Sequence, residues 1–551
     1  MTRQGLGSTG ASLADTNNVA EVQSSELEIL FTAVTETKKQ SRLLSGLREA
    51  AVYSLVLLIS MLVVKIYEFV RDIQKFGVPK EFSKVIEFGI INDISFVLNI
   101  AIIPVSIFLL LYCINKKFAR VFFVIFSLFL IIIHAALAEY FLETLVPLGA
   151  DLLGYSLADI KQTVGAAGIS MTFVFGIVLI LAFIILLFIT IPKKLQAGPR
   201  LSIAAFGLFV LAAICSVSAI TYRWRPGEEF SNNISLNKSY YFYKNCYAAL
   251  YSNNKINVDN DEAVTANSFH YVDEEHFPFL HTVDSTDVLS PFFNKSTKQP
   301  NLVFIVVEGL GRAFSNNDAY LGSFTPFLDS LSGKSLYWSN FLSSGGRTFA
   351  MLPSIFGSLP FSKNGFLELG NDMPKHASLL SVLKNNGYVT NFFYGGDASF
   401  DNMNLFLKMN GTNVYDEKTF TSNYAKMPLS NNGFTWGYGD EEVLRKCNEV
   451  NAAIDKPSCN VIMTLSTHSP FLISEQDKYL ALFEQRMNEL QFTDAQKQEH
   501  RRYQDQYATI LYADNAIRNF INEYKSLPDF ANTIFVVTGD HRMPEIPMST
   551  K

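Results

Sequence analysis

Cysteine is scarce. The chain of 551 residues carries five, Cys113, Cys215, Cys246, Cys447 and Cys459, with no Cys-x-x-Cys pair and no zinc-type spacing. A disulfide-stapled scaffold and a structural zinc module are therefore excluded. Cys113 and Cys215 fall in apolar runs and read as buried bystanders. Cys447 and Cys459 are close enough in sequence to pair in an oxidising compartment, and a free, solvent-facing Cys447 fits the sequence equally well. A basic stripe is also missing, and the formal net charge is −6, so nucleic acid is not an expected partner. No apolar run starts early enough for a signal peptide. Charged residues are only 17% against 49% hydrophobic, a balance that leans toward a membrane protein.

That apolar content is unevenly spread. Residues 1–45 are polar and are expected to be a cytoplasmic segment, disordered in part, with a short helix over 26–39. Five apolar segments follow, at 50–70, 91–114, 121–138, 171–192 and 201–221, each near the roughly 20 residues that a bilayer crossing needs. They predict a five-helix transmembrane domain over 46–222. Lys38, Lys39, Arg42 and Arg48 precede the first segment. Lys116, Lys117 and Arg120 separate the second and third, and Lys193, Lys194 and Arg200 the fourth and fifth. These clusters place the even loops in the cytoplasm and everything after Arg223 outside it. Arg71, Lys75, Lys80 and Lys84 in the first-to-second loop fit this rule less well. Residues 223–299 read as an interfacial linker. Its Tyr240-Tyr241-Phe242-Tyr243 run, with Tyr247, Lys238 and Lys244, suits either the bilayer surface or packing on the globule.

From Asn301 the pattern changes. Leu302–Val307 is a continuous apolar run rich in β-branched residues, and 388–394, 461–465 and 533–537 are similar. Such runs predict strands buried on both faces of a parallel sheet. Helical patterns lie between them, one opening at Thr325-Pro326. Residues 300–551 are thus expected to form an extracytoplasmic α/β sandwich with a mainly parallel sheet.

Ligand groups in such sheets gather past the carboxyl ends of the strands. The first strand ends in Glu308, the second in Tyr394-Gly395-Gly396-Asp397, the third in Ser466-Thr467-His468 and the fourth in Gly539-Asp540-His541. A loop, Gly345-Gly346-Arg347-Thr348, follows the first strand, and its threonine is either a helix cap or a nucleophile. Two carboxylates and an imidazole suit one divalent ion, Zn2+ or Mn2+, with Mg2+ also admissible. Such an ion would lower the pKa of the Thr348 hydroxyl and draw charge from a phosphate oxygen. His468 could protonate a leaving oxygen or hold a phosphate, and Arg347 could clamp one.

Val306-Val307-Glu308, Thr325-Pro326-Phe327-Leu328-Asp329, the Thr348 loop and Gly539-Asp540-His541 together resemble the alkaline phosphatase/sulfatase superfamily. Within it, the lipoteichoic acid synthase and lipid A phosphoethanolamine transferase families are nearest. The resemblance implies an α-helical membrane domain of five helices followed by a sulfatase-like domain outside the cytoplasm. It implies that Glu308, Thr348, Asp540 and His541 hold the metal and that Thr348 is the nucleophile. It assigns the head group to the histidine of Thr467-His468-Ser469-Pro470-Phe471. The implied activity is transfer of a phospholipid head group, of glycerol phosphate or phosphoethanolamine type, from a membrane phospholipid to a glycan or lipid hydroxyl. The synthases carry a His-Gly turn and a Phe-Trp-Asn-Arg run where this chain has Tyr394-Gly395 and Phe400-Asp401-Asn402-Met403. Tyr394, Asp397, Asp401 and Asn402 are the expected substitutes. Sulfatases proper use an oxidised Cys or Ser, which Thr348 cannot supply. Family members continue beyond the aspartate–histidine pair, so a C-terminal truncation of the catalytic domain is expected. The alternatives are a phosphodiesterase or sulfuric ester hydrolase, and an inactive membrane scaffold. The expected location is a bacterial-type cytoplasmic membrane.

Overall fold

The computed structural model describes residues 14–153, 155–168, 171–215, 229–251, 270–282, 286–293, 297–359 and 365–547. The first apolar segment belongs to a longer helix, α1 (Ala14–Phe76), which absorbs the short helix expected over 26–39. Helices α2 (Phe82–Ile100) and α3 (Ile102–Ile114) form one path bent by 41°. Pro104 explains the bend, because it has no N–H for the carbonyl of Ile100. Asn115 then caps α4 (Lys116–Thr144) by accepting from the N–H groups of Lys117 and Phe118. Helices α5 (Leu157–Ala167), α6 (Met171–Lys194) and α7 (Pro199–Cys215) complete this half. By length and composition, Arg42–Phe76, Lys116–Thr144 and Phe173–Lys194 can each cross a membrane, and the bent pair counts as a fourth span. The five expected spans are one more than this. The fifth segment is represented by the short apolar helix Pro199–Ile214, and its remainder, 216–221, lies outside the described residues.

The bundle core is built from Val56, Leu57, Met61, Phe108, Phe123 and Ile131. Two of the basic residues that fit the loop rule poorly are neutralised locally. Arg71 pairs with Glu139 at 3.2 Å and Lys75 with Glu143 at 2.8 Å, across to the end of α4. Helices α8 (Glu229–Ser235) and α9 (Lys238–Tyr251) follow. The aromatic run of α9 packs on the bundle rather than on the globule: Tyr240 and Tyr243 join its core, and Tyr243 stacks on Phe96 with centroids 6.4 Å apart.

Beyond a short antiparallel pair, β1 (His270–Tyr271) with β2 (His281–Thr282), the globule is built on one sheet. Its strands are β3 (Asn301–Val307), β4 (Val389–Tyr394), β5 (Asn413–Tyr415), β6 (Ser458–Met463) and β7 (Thr533–Gly539). They lie in the order β5-β4-β6-β3-β7, every pairing parallel. Side chains alternate between two apolar layers. Phe304, Val306, Phe392 and Val461 pack with Met351, Phe356 and Phe406 on one face. Val303, Ile305, Phe393 and Ile462 pack with Val443, Ile517 and Phe520 on the other. This is the expected sandwich. Cys447 and Cys459 belong to opposite layers, both buried and both free, so the sheet itself separates them and no disulfide forms.

Candidate active site

Strand register brings the first two site residues together. Val307 of β3 is level with Gly539 of β7, so the next residues, Glu308 and Asp540, leave the sheet side by side. His541 follows directly. Thr348 arrives from elsewhere in the chain. Arg347 is extended, and Thr348 opens a tight turn, Thr348–Ala350, that runs into the helix Met351–Gly357. Met351, Leu352 and Phe356 of that helix are buried in the sheet's apolar layer, which fixes Thr348 over the strand ends.

The four side chains meet. Thr348 donates its hydroxyl to Glu308 Oε2 at 3.1 Å and lies 3.1 Å from His541 Nε2. The same nitrogen is 3.4 Å from Glu308 Oε1 and 3.4 Å from Asp540 Oδ2. Asp540 Oδ1 accepts from the N–H groups of Gly309 at 2.9 Å and His541 at 2.6 Å. Asp540 Oδ2 is buried and has no hydrogen-bond donor among the described residues. The tautomer of His541 sharpens the picture. Its Nδ1 is 2.7 Å from the carbonyl of Arg542, and a carbonyl can only accept, so Nδ1 carries the hydrogen. In the neutral form that metal ligation requires, His541 would present its Nε2 lone pair toward the two carboxylates. Acceptors converging on one buried point fit a cation, and the carbonyl behind His541 is the outer support that metal-ligating histidines have. Glu308, Asp540 and His541 could hold one metal ion, with their ligand atoms within 4.8 Å of one another. Without such an ion, burial and then the Asp540 charge push the Glu308 carboxyl well above its usual range.

Two threonines at the end of β6 brace this arrangement, and sequence reasoning missed both. Thr464 Oγ1 accepts from the Glu308 N–H at 2.9 Å, and Thr467 donates to the Glu308 carbonyl at 2.6 Å. Asp440 was also missed. It accepts from the N–H groups of Leu465 at 2.8 Å and Ser466 at 3.0 Å, so it shapes the loop that presents His468. Its sequence signal, an acidic residue opening a helix, is too common to have marked it.

The other expected residues separate into two groups. His468 and Tyr394 face the centre. The ring of His468 lies 4.5 Å from that of Trp436, and its Nδ1 donates to the Ser469 carbonyl at 3.2 Å. Burial lowers its pKa, so it stays neutral with Nε2 as an acceptor. Tyr394 is 3% exposed. Burial, then the charges of Glu308, Asp401 and Asp540, push its phenol well above the ordinary value. Asp397, Asp401 and Asn402 belong to the loop after β4. Asp397 is tied to Lys418 at 2.8 Å and to the Ser399 N–H at 2.9 Å. Asp401 and Asn402 both take left-handed backbone conformations, and Asn402 donates to the Leu367 carbonyl at 3.2 Å. Arg347 reaches the Tyr155 hydroxyl at 3.5 Å.

This last contact is one of several between globule and helical half. Arg502 donates to the Phe76 carbonyl at 3.0 Å, and Asn432 to the Gly165 carbonyl at 2.8 Å. Arg542, next to His541, pairs with Glu229. Arg347 thus links the Thr348 loop to the segment just before α5.

Residues 300–544 match the sulfatase family model. Two relatives are named phosphoglycerol transferase I. The one from Citrobacter koseri is 26% identical over 278 residues, covering 48% of this chain and 33% of the relative. The one from Escherichia fergusonii is 26% identical over 254 residues, 44% of this chain and 30% of the relative. The chain spans about a third of the length of these curated relatives. Among solved structures, an alkaline phosphatase superfamily protein from Vibrio parahaemolyticus matches at 25% identity and a TM-score of 0.37, covering 49% of this chain and 64% of that one. The lipoteichoic acid synthase LtaP from Listeria monocytogenes matches at 23% and 0.36, covering 44% and 57%. All four converging side chains lie within the stretch that matches the sulfatase model.

Proposed function

We propose that this chain is a membrane-anchored, metal-dependent phosphotransferase. It moves a phospholipid head group, of glycerol phosphate or phosphoethanolamine type, to a glycan or lipid hydroxyl outside the cytoplasm. The observation that carries this reading is the Thr348 hydroxyl, 3.1 Å from both Glu308 Oε2 and His541 Nε2. The phosphoglycerol transferase relatives favour glycerol phosphate as the group moved.

Glu308, Thr348, Asp540 and His541 would hold one divalent ion, Mn2+ or Zn2+ by their donor types. That ion would supply a lowered hydroxyl pKa and charge neutralisation at phosphate. The residues of the chain do the rest. Thr348 Oγ1 attacks phosphorus and forms a P–O bond, while the bond from phosphorus to the diacylglycerol oxygen breaks. The Thr348 proton passes along its hydrogen bond to Glu308 and from there to the diacylglycerol oxygen as it leaves. In the second half, an acceptor hydroxyl attacks phospho-Thr348, the P–Oγ1 bond breaks, and a proton returns to the threonine. Neutral His468 offers Nε2 to a hydroxyl of the head group or of the acceptor. Tyr394 shields the carboxylates from water. Asp397, Asp401 and Asn402 shape the loop under the head group, and Arg347 contacts the phosphate from the bilayer side. The contacts of Arg347, Arg502 and Asn432 with the helical half keep the site within reach of a donor that stays in its bilayer.

The test is turnover of head-group-labelled phospholipid by the purified full chain, with and without a glycan acceptor. Metal-dependent release of diacylglycerol that Thr348→Ala abolishes supports the proposal. Metal-independent release, or an unchanged rate in Thr348→Ala, overturns it. Label appearing only as free head-group phosphate would assign a hydrolase instead.

A further inference from the structure

Away from the sulfatase domain, a second dense set of ionisable groups lies inside the helical bundle. Lys65, Glu68 and Asp72 recur at i, i+3 and i+7 on α1 and share one face of it. Asp93 meets them from α2 and His134 from α4. Asn237, Lys238 and Ser239 come from the start of α9. None of these eight is more than 3% exposed. Ionisable side chains within apolar helices are costly and signal a function by default.

Most of the cluster is internally paired. Glu68 sits between two ammonium groups, 2.7 Å from Lys65 and 2.6 Å from Lys238. Lys65 lies 4.0 Å from Asp93 Oδ1, to which Asn237 donates at 2.8 Å. Lys238 also donates to the carbonyls of Asn233 at 2.7 Å and Ile234 at 3.2 Å. His134 Nδ1 meets the Ser239 hydroxyl at 3.0 Å, and its Nε2 has no hydrogen-bond partner among the described residues. The cations at the end of α1 are engaged elsewhere, Arg71 with Glu139 and Lys75 with Glu143.

Among the described residues, Glu68, Asp72 and Asp93 are thus set against Lys65 and Lys238, with Arg71 already committed to Glu139, which leaves one negative charge uncompensated. It falls on Asp72. Both of its oxygens are buried, with no hydrogen-bond donor among the described residues. A lone ionised carboxylate is not sustained in such a place, and it must be neutralised.

We propose that Asp72 is the binding site for a single monovalent positive charge, a proton or a sodium ion, in the helical half of the protein. The inference is independent of the chemistry at Thr348.

The experiment follows thermal unfolding of the purified full chain from pH 5 to 9, in choline chloride and in sodium chloride, for the parent and for Asp72→Asn. Asparagine keeps the shape of the side chain and removes its charge. The parent is expected to melt at falling temperature as pH rises in choline, because the proton leaves Asp72. Sodium restores the loss if the site takes sodium and leaves it unchanged if the site takes only a proton. Asp72→Asn is expected to melt at or above the parent at high pH, and its pH and sodium responses should lack the parent's Asp72 contribution. Two results overturn the proposal. One is the same pH and sodium dependence in both proteins. The other is an Asp72→Asn melting temperature more than about 10 °C below the parent at every pH, the behaviour expected when a paired carboxylate is removed. Failure of Asp72→Asn to fold counts with that second result, since the proposal requires a neutral side chain to be accepted.

Discussion

Glu308→Gln should stabilise the metal-free protein while abolishing its response to metal. In the metal-free site, Glu308 and Asp540 present oxygens within 4.8 Å of each other, and Asp540 Oδ2 has no donor. Two unit charges at that separation repel by about 3.5 kcal/mol at an effective dielectric of about 20. The protein can escape by keeping a proton on Glu308. At pH 7 that escape costs about 1.4 kcal/mol for each pH unit above the ordinary glutamate value near 4.5, again about 3 kcal/mol. Both routes give a ceiling of the same size. Glutamine removes the charge, keeps the volume and can donate its amide to Asp540 Oδ2. A gain of about 1–3 kcal/mol corresponds to about 3–10 °C in melting temperature for a domain this large. The assay is tryptophan-fluorescence melting of the full chain after chelation, then with added Mn2+ or Zn2+. The parent should rise on adding metal and Glu308→Gln should not. A Glu308→Gln protein that melts below the metal-free parent, or that gains as much from metal, would refute a site built for a cation.

Further consequences follow from the same geometry. His468→Ala should lower head-group transfer about 100-fold, and the acid limb of the parent's rate profile that depends on His468 should lie below pH 6.5, because burial lowers that imidazole. Asp514 accepts from the N–H groups of Phe327 and Leu328, both at 2.9 Å, and burial raises its pKa to about 6. Its folded value exceeds the unfolded one, so its contribution to stability is fully present below about pH 4 and lost as pH rises through about 6. Asp514→Asn should remove that component from a plot of melting temperature against pH. Cys447 and Cys459 should resist alkylation in the native protein and both react after denaturation. Their thiols are buried, which pushes Cys459 up to about 12 and Cys447 higher still.

The sequence made the sheet and the cluster at its strand ends legible for one physical reason. A parallel strand buried on both faces leaves an unbroken apolar run, and a ligand at its end stands out as the first polar residue after it. Glu308 after Leu302–Val307 is such a case, whereas Asp540-His541 follow Thr538-Gly539 at the end of the half-buried edge strand β7 and stood out as a Gly-Asp-His tripeptide. Thr348 could be placed only with the glycine pair before it and the resemblance of the whole set. Supports acting through backbone groups were invisible, because Thr464, Thr467 and Asp440 leave no spacing signature. In the loop after β4, Asp397 is a carboxylate near a strand end that Lys418 and the Ser399 N–H hold in place. The fifth span was expected from apolar content alone; its described helix is 17 residues long, and the rest of that segment, 216–221, lies outside the described residues. The buried charges of α1 were hidden at the end of an apolar segment, since composition cannot tell which face of a helix a lysine or aspartate takes.

The central claim is that Thr348 carries the transferred group. Mass spectrometry of the full chain, quenched during turnover of labelled phospholipid with metal present and acceptor withheld, tests it most directly. The account predicts a peptide heavier by one head-group phosphate, with the modification on Thr348, and its loss when acceptor is added. Steady release of diacylglycerol with an unmodified Thr348 peptide would contradict it.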